Sequence, residues 1–286
     1  MSPLAVLIPT RDRHASLRRS LASPGLSELT HRLLICDQSQ QPFPDPGPWR
    51  VLHRPDLPGL PAARNHLLTA TDAAVVCFLD DDVDLPPGFG ATLLRLASDE
   101  PGLAAWGPVV ERRGRALRRL HRLAGLGALR DPRRLTAGPV DHPTRALFGC
   151  CFALRRAAAL AIGGFDARLR GYALGEDLDF FLRLHAAGHR LRFSSALRCV
   201  HRADAAGRAD RYRRGVAKAR CLRRIARAHG RDDPATPLHL ALALAAAAAG
   251  RGHEPADPRG VLTGCHGPLY AAPSREPRPL SGGARR

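Results

Sequence analysis

Short unbroken apolar runs alternate with helix-spaced apolar positions along the first third of the chain. Leu4-Ala5-Val6-Leu7-Ile8 is one such run, closed by Pro9. Continuous runs of this length suit strands buried on both faces of a parallel sheet. Leu17 and Leu21 then mark a short helix. Residues 32–36 read as a second strand ending at Asp37, and residues 50–52 as a third. Residues 59–70 form a helix candidate with Leu60, Leu67 and Leu68 on one side. Residues 73–79 give the clearest strand, which runs straight into Asp80-Asp81-Asp82. Pro86 and Pro87 stop that segment and suit the first turn of another helix. This alternation is the signature of an open α/β sheet, in which ligands bind at the carboxyl ends of strands.

The second half is less regular. Residues 104–106 and 146–154 are strand-like. Leu178, Phe181, Leu182 and His185 follow i, i+3, i+4, i+7 spacing, so a helix begins near Glu176 and stops at Gly188. Leu191 and Phe193 alternate with Arg, as in a half-exposed strand. Residues 112–134 carry nine arginines and one acid, Asp131, and residues 209–229 form a second basic, helical stretch. Residues 237–249 suggest a short apolar helix. From Gly250 onward Pro, Gly and Arg dominate, which predicts a poorly ordered tail.

The 286 residues suit one large domain, or one domain with a tail. An apolar fraction of 44% excludes wholesale disorder. No apolar run reaches the roughly 18 residues that span a bilayer, and the N-terminus lacks the pattern of a secretory signal. Seven cysteines without CxxC spacing argue against a disulfide scaffold and a structural zinc site, and point to a reducing cytoplasm. The net charge of +18 is almost wholly arginine, since Lys218 is the one lysine. Part of it reads as GC-rich codon bias; the rest implies an anionic partner.

Three constellations carry candidate chemistry. Three carboxylates directly after a buried strand, Asp80-Asp81-Asp82, repel one another unless a cation sits among them, and hard divalent ions take such ligands. A solvated, helix-capping loop is the plainer alternative. Gly175-Glu176-Asp177-Leu178-Asp179 places three acids at a helix start. They complement the helix dipole, and Asp177 or Glu176 could also serve as a general base. Arg64 offers a fork suited to phosphate. Asp37 could accept from a base N–H or ribose hydroxyls, and His201 is either a metal ligand or a strand-end histidine.

Read together, these pieces resemble the family 2 glycosyltransferases of the GT-A fold. Residues 5–13 look like the family's opening VIPTYNR segment, and Ile35-Cys36-Asp37-Gln38-Ser39 is similar to VDDGS with Gln38 in place of an acid. Residues 59–65 match G-x-x-x-ARN, and residues 78–83 match the FLDDD metal motif. Residues 152–156, 163–166 and 175–179 resemble F-x-x-RR, GGFD and GED-x-D. The resemblance covers roughly residues 4–202.

The resemblance implies a Rossmann-like, mostly parallel sheet flanked by helices, with a C-terminal helical extension. Residues 1–232 would form the GT-A domain, with a nucleotide-sugar half (1–105) and an acceptor half (106–232). Residues 233–286 would be a short helix and tail. Pro9, Thr10, Arg11, Asp37, Arg64, Asp80 and Asp81 would bind the nucleotide-sugar. Asp80, Asp82 and His201 would hold Mn²⁺ or Mg²⁺. Asp177, with Glu176 beside it, would act as the base in an inverting transfer of one sugar to a hydroxyl of a glycan or polyprenyl-diphosphate-linked acceptor. The processive Q-x-x-R-W segment is absent, so single addition is expected. The implied location is cytoplasmic, with the basic segments in peripheral contact with an anionic membrane. Rival readings are a family member that only binds, a polyanion- or nucleic-acid-binding protein, and a nucleotidyltransferase. Intact acidic motifs disfavour the first, scarce aromatics the second, and an N-terminal loop without glycine the third.

Overall fold

The computed structural model describes residues 3–45, 47–112, 141–170, 175–204, 210–229, 245 and 257–266. The basic stretch at 113–134 and nearly all of the helix candidate at 237–249 lie outside them. The elements are β1 (Leu4–Thr10), α1 (His14–Leu21), α2 (Pro24–Ser27), β2 (Leu33–Asp37), β3 (Arg50–His53), α3 (Leu60–Thr69), β4 (Val75–Leu79), β5 (Val83–Asp84) and α4 (Phe89–Asp99). There follow β6 (Leu103–Arg112), β7 (His142–Thr144), β8 (Cys151–Arg155), α5 (Arg156–Ala161), α6 (Glu176–Ala186), β9 (Arg190–His201), α7 (Arg211–His229) and α8 (Pro258–His266).

Nine strands form one sheet in the order β3-β2-β1-β4-β8-β6-β9-β5, with β7 on β9. Strands β3, β2, β1 and β4 are mutually parallel, as expected. Beyond β4 the sheet is mixed. β8 runs antiparallel to β4 and β6, while β6 and β9 are parallel. Every residue of β1 is buried. Leu4, Val6 and Ile8 pack on one side with Leu17 and Leu93, from α1 and α4. Ala5 and Leu7 pack on the other with Leu67, Phe78, Phe152, Phe180 and Phe181. A strand covered on both faces needs apolar side chains at every position, which is why its sequence does not alternate.

Several boundaries differ from expectation. Pro86 and Pro87 precede a turn, and Gly88, with φ +72°, caps α4, which starts at Phe89. The strand expected over 146–154 is confined to β8, because residues 145–150 cross the edge of the sheet as a loop. The tail reading is corrected over residues 258–266, which form helix α8 packed on α7. A Cβ at Gly260 would lie 2.2 Å from the Tyr212 carbonyl oxygen, so the two backbones touch at this point. None of the seven cysteines is joined in a disulfide.

Candidate active site

Three parallel strands deliver their carboxyl ends to one edge of the sheet. β1 ends at Thr10, β2 at Asp37, and β4 at Leu79 immediately before Asp80. The antiparallel strands complete the edge from the other side. Cys151 pairs with Leu79, so the preceding Gly149 and Cys150 stand beside Asp80, whose amide donates to the Cys150 carbonyl at 2.9 Å. β5 follows Asp82 directly and pairs Val83 with His201 at the end of β9. That pairing places a histidine distant in sequence against the acidic motif.

The result is a compact ligand set. Asp80, Asp82 and His201 each offer an atom within 4.8 Å of the others. His201 Nε2 lies 3.1 Å from Asp82 Oδ1. Asp82 is 1% exposed, whereas the Asp80 side chain is 31% exposed, so the site is open from the Asp80 side. Burial alone pushes the Asp82 carboxyl upward. The bonds from His201 and Arg13 outweigh it and hold Asp82 well below the usual carboxylate range. Asp82 is therefore an anion at neutral pH.

Asp81, expected to face the nucleotide-sugar, turns inward instead. The Thr10 hydroxyl donates to its Oδ2 at 2.7 Å, and Arg13 Nη1 lies 2.8 Å from its Oδ1. Burial pushes it up to about 7, an effect that Arg13 and Thr10 offset only in part. Asp37 is fully buried. Its oxygens accept from the amides of Ser39 at 3.0 Å and Phe43 at 2.7 Å, so it builds the loop after β2. Gln38, the residue that replaces an acid of the family pattern, donates to the carbonyls of Leu57 and Gly59 and braces the entry to α3. Pro9 is buried within β1, and Arg11 is exposed at the rim.

Arg64, expected beside the nucleotide-sugar, has a side chain that is 1% exposed and engaged by groups of the protein itself. Nη1 bonds Glu176 Oε1 at 2.6 Å, and Nη2 bonds the Gly149 carbonyl at 2.8 Å and approaches Asp80 Oδ1 at 3.4 Å. The rings of Phe78, Phe152 and Phe165 surround the guanidinium at 5.3–5.9 Å. Asn65, next in sequence, exchanges two 2.8 Å bonds with the backbone of Phe165. The ARN segment thus ties α3 to the loop after α5. Glu176 is correspondingly the buried partner of Arg64, its carboxyl raised above the ordinary value chiefly by burial.

Asp177 stands at the first turn of α6. Its Oδ2 accepts from the Gly149 amide at 3.0 Å and its Oδ1 from the Leu178 amide at 2.8 Å. A Cβ at Gly149 would fall 2.8 Å from Asp177 Oδ2, so only glycine permits this approach. Arg64 therefore touches the cation group through Asp80 and the Asp177 loop through Gly149.

Sequence reasoning missed Gly149, Arg13 and the segment after His201. The Asp204 amide donates to Asp82 Oδ2 at 3.0 Å, and Arg13 Nη2 reaches the same oxygen at 2.7 Å. A fork-shaped cation beside paired carboxylates was a usable signal for Arg13, but nothing in its spacing points to residues 81 and 82. The second basic stretch is largely α7. Arg211, Arg213 and Arg227 are exposed, whereas Arg224 is buried between Asp166 and Asp179, each 3.3 Å away. Among the described residues no helix is long and apolar enough to cross a membrane.

Comparison with known proteins agrees with this geometry. The model of glycosyl transferase family 2 matches residues 33–163, and that of the N-terminal domain of galactosyltransferase matches residues 137–205. A pre-mycofactocin glycosyltransferase of Mycobacterium tuberculosis is 29% identical over 207 residues, covering 69% of this chain and 42% of that protein. The chain thus spans less than half the length of that curated relative. Among solved structures, the mannosyltransferase PcManGT from Pyrobaculum calidifontis, in complex with GDP-Man and Mn²⁺, superposes with a TM-score of 0.54 at 17% identity. That match covers 91% of this chain and 78% of the other. GalNAc-T7 with UDP, GalNAc and Mn²⁺ gives a TM-score of 0.52 at 16% identity, over 70% of this chain and 44% of its own. With its parallel strands β1, β2 and β4 and the carboxylate-histidine cluster at their ends, the chain has the GT-A fold of these solved structures, and its residues 33–163 are similar to glycosyl transferase family 2.

Proposed function

We propose that the protein is a metal-assisted glycosyltransferase that moves a single sugar from a nucleoside-diphosphate sugar to a hydroxyl of a glycan or lipid-linked acceptor. The observation that carries this reading is the clustering of Asp80, Asp82 and His201 at the edge where Asp177 also stands. Two carboxylates and one imidazole suit a hard, six-coordinate divalent ion, and the nitrogen donor favours Mn²⁺ over Mg²⁺. When bound, such an ion neutralises charge on the departing diphosphate. The two solved neighbours, both determined with Mn²⁺ and with UDP or GDP-Man, support the same donor class.

The remaining work falls to the chain's own groups. Asp177 takes the proton from the acceptor hydroxyl, and the Gly149 and Leu178 amides hold its carboxylate for that purpose. A single base facing a leaving group on the opposite side gives one in-line displacement and inversion at the anomeric carbon. Arg11 lies exposed at the nucleotide end, while Pro9, Thr10 and Asp37 shape the pocket through the loops they hold. Arg64 and Glu176 act from behind the site, as a strut between its two halves. The exposed arginines at the ends of α7 suit anionic lipid head groups, each contributing about 1 kcal/mol. This is consistent with a polyprenyl-diphosphate-linked acceptor at the cytoplasmic membrane face.

Release of nucleoside diphosphate from UDP-, GDP- and dTDP-sugars with Mn²⁺ tests the reading. Turnover is expected with one nucleotide class. Asp177→Asn should lower kcat by about 10²- to 10⁴-fold with donor affinity kept. Turnover unaltered in that variant, or absent with every donor and acceptor glycan, would count against it.

A further inference from the structure

We infer that Arg13 is a positioning residue for the cation group: it fixes the Asp82 carboxylate so that one oxygen alone is presented to a metal ion. This rests on the reading of Asp80, Asp82 and His201 as a cation site. The Arg13 guanidinium forks, with Nη1 2.8 Å from Asp81 Oδ1 and Nη2 2.7 Å from Asp82 Oδ2. The Asp204 amide donates to that same Asp82 Oδ2 at 3.0 Å. Two donors thus converge on Oδ2, and Oδ1 is left on the side of His201, 3.1 Å from Nε2. The same fork draws Asp81 away from the group, which leaves Asp80 and Asp82 as its carboxylate members.

The backbone is shaped around this arrangement. Among the described residues, Asp12 and Ala203 are the non-glycine residues with positive φ, at +54° and +57°. Asp12 immediately precedes Arg13, and Ala203 immediately precedes Asp204. Both donors to Oδ2 are therefore launched from a left-handed residue, a conformation that persists only where the surroundings impose it. The constraints are visible. Ser39 Oγ accepts the Asp12 amide at 2.7 Å. Arg202 Nη2 donates to the Ser16 carbonyl and to Ser20 Oγ, both at 2.9 Å, and its Nη1 pairs with Asp84. The strand end that carries His201 is thereby stitched to α1, the helix that Arg13 leads into.

Lysine at position 13 keeps the charge but cannot bridge two carboxylates in one plane. Loss of a group that orients a metal ligand typically weakens metal affinity by about 10- to 100-fold. Loss of a neighbouring cation alone acts the other way, tightening the site. The test is titration of Mn²⁺ alone into the 286-residue chain, following free Mn²⁺ by electron paramagnetic resonance. Wild type should bind, and Asp82→Asn should not. Arg13→Lys should bind about 10- to 100-fold more weakly, whereas Arg18→Lys, on the helix that Arg13 leads into but paired with Asp45 at the surface, should match wild type. Arg13→Gln decides the matter if Arg13→Lys does not fold: loss of the charge alone would tighten Mn²⁺ binding, so weaker binding by a folded Arg13→Gln supports the inference and tighter binding overturns it. Wild-type or tighter affinity in a folded Arg13→Lys would overturn the inference alone. Absence of Mn²⁺ binding by wild type would overturn the cation site and the inference with it.

Discussion

At the scale of single residues, the site is governed by a few buried contacts. Gly149 is the narrowest of them, because its lack of a side chain admits Asp177. Gly149→Ala should push Asp177 aside and lower turnover by up to about 10²- to 10⁴-fold, the range general-base contributions span, while Mn²⁺ affinity stays unchanged. Loss of both together would mean that the loop serves the cation group instead. Arg64 is the second such contact. Arg64→Met leaves Glu176 buried without its cation, and removing one partner of a buried pair costs about 3–5 kcal/mol. Urea unfolding of the variant measures this directly, and an unchanged midpoint would show that the strut carries no load. The sequence marked Arg64 as a nucleotide-sugar ligand and Glu176 and Asp177 as catalytic candidates, without pairing Arg64 with Glu176. Arg64 and Glu176 lie 112 positions apart, and no local pattern announces that they are partners.

Among the elements, α6 and α7 meet through charge. Asp179, on α6, accepts from Arg183 at 3.1 Å, and Arg224 and His229 of α7 each lie 3.3 Å from its Oδ1. Burial pushes the Asp179 carboxyl up, but the His229 bond and the charges of Arg224 and Arg183 outweigh it and hold it at about 2. The folded value lies below the ordinary 3.8. The stabilisation is therefore complete above the unfolded value and fades as pH falls toward about 2. Asp179→Asn should cost about 2 kcal/mol at pH 7, from the linkage between shift and stability, and clearly less at pH 3. Urea unfolding at both values checks this, and an equal deficit at the two pH values would contradict it. The helical period and acidic start of α6 were legible in the chain. The helix over 258–266 was not, because a segment rich in Gly, Pro and Arg carries the composition of a tail. Its glycines serve instead for close approach to α7.

On the scale of the whole molecule, the part of the sheet built on β1, β2 and β4 was readable because its parallel strands appear as continuous apolar runs ending at or beside carboxylates. The part beyond β4 was less so. β7 is three residues long, and β8 enters antiparallel between β4 and β6, a pairing that no local periodicity encodes. That mixed half nonetheless finishes the site, since β8 brings Gly149 and β9 brings His201 to the edge defined by β1, β2 and β4. On the proposed function, this edge binds a nucleoside diphosphate through a divalent cation. The most direct measurement is a thermal-shift series with UDP, GDP, dTDP and CMP, each with and without Mn²⁺, on wild type and Asp82→Asn. Ligand at 100 times its Kd stabilises the native state by about 2.7 kcal/mol, enough to raise the melting temperature by several degrees. Such a rise is expected with one nucleotide, only when Mn²⁺ is present and only in wild type. A rise that persists without Mn²⁺ or in Asp82→Asn, or no rise with any nucleotide, would contradict it.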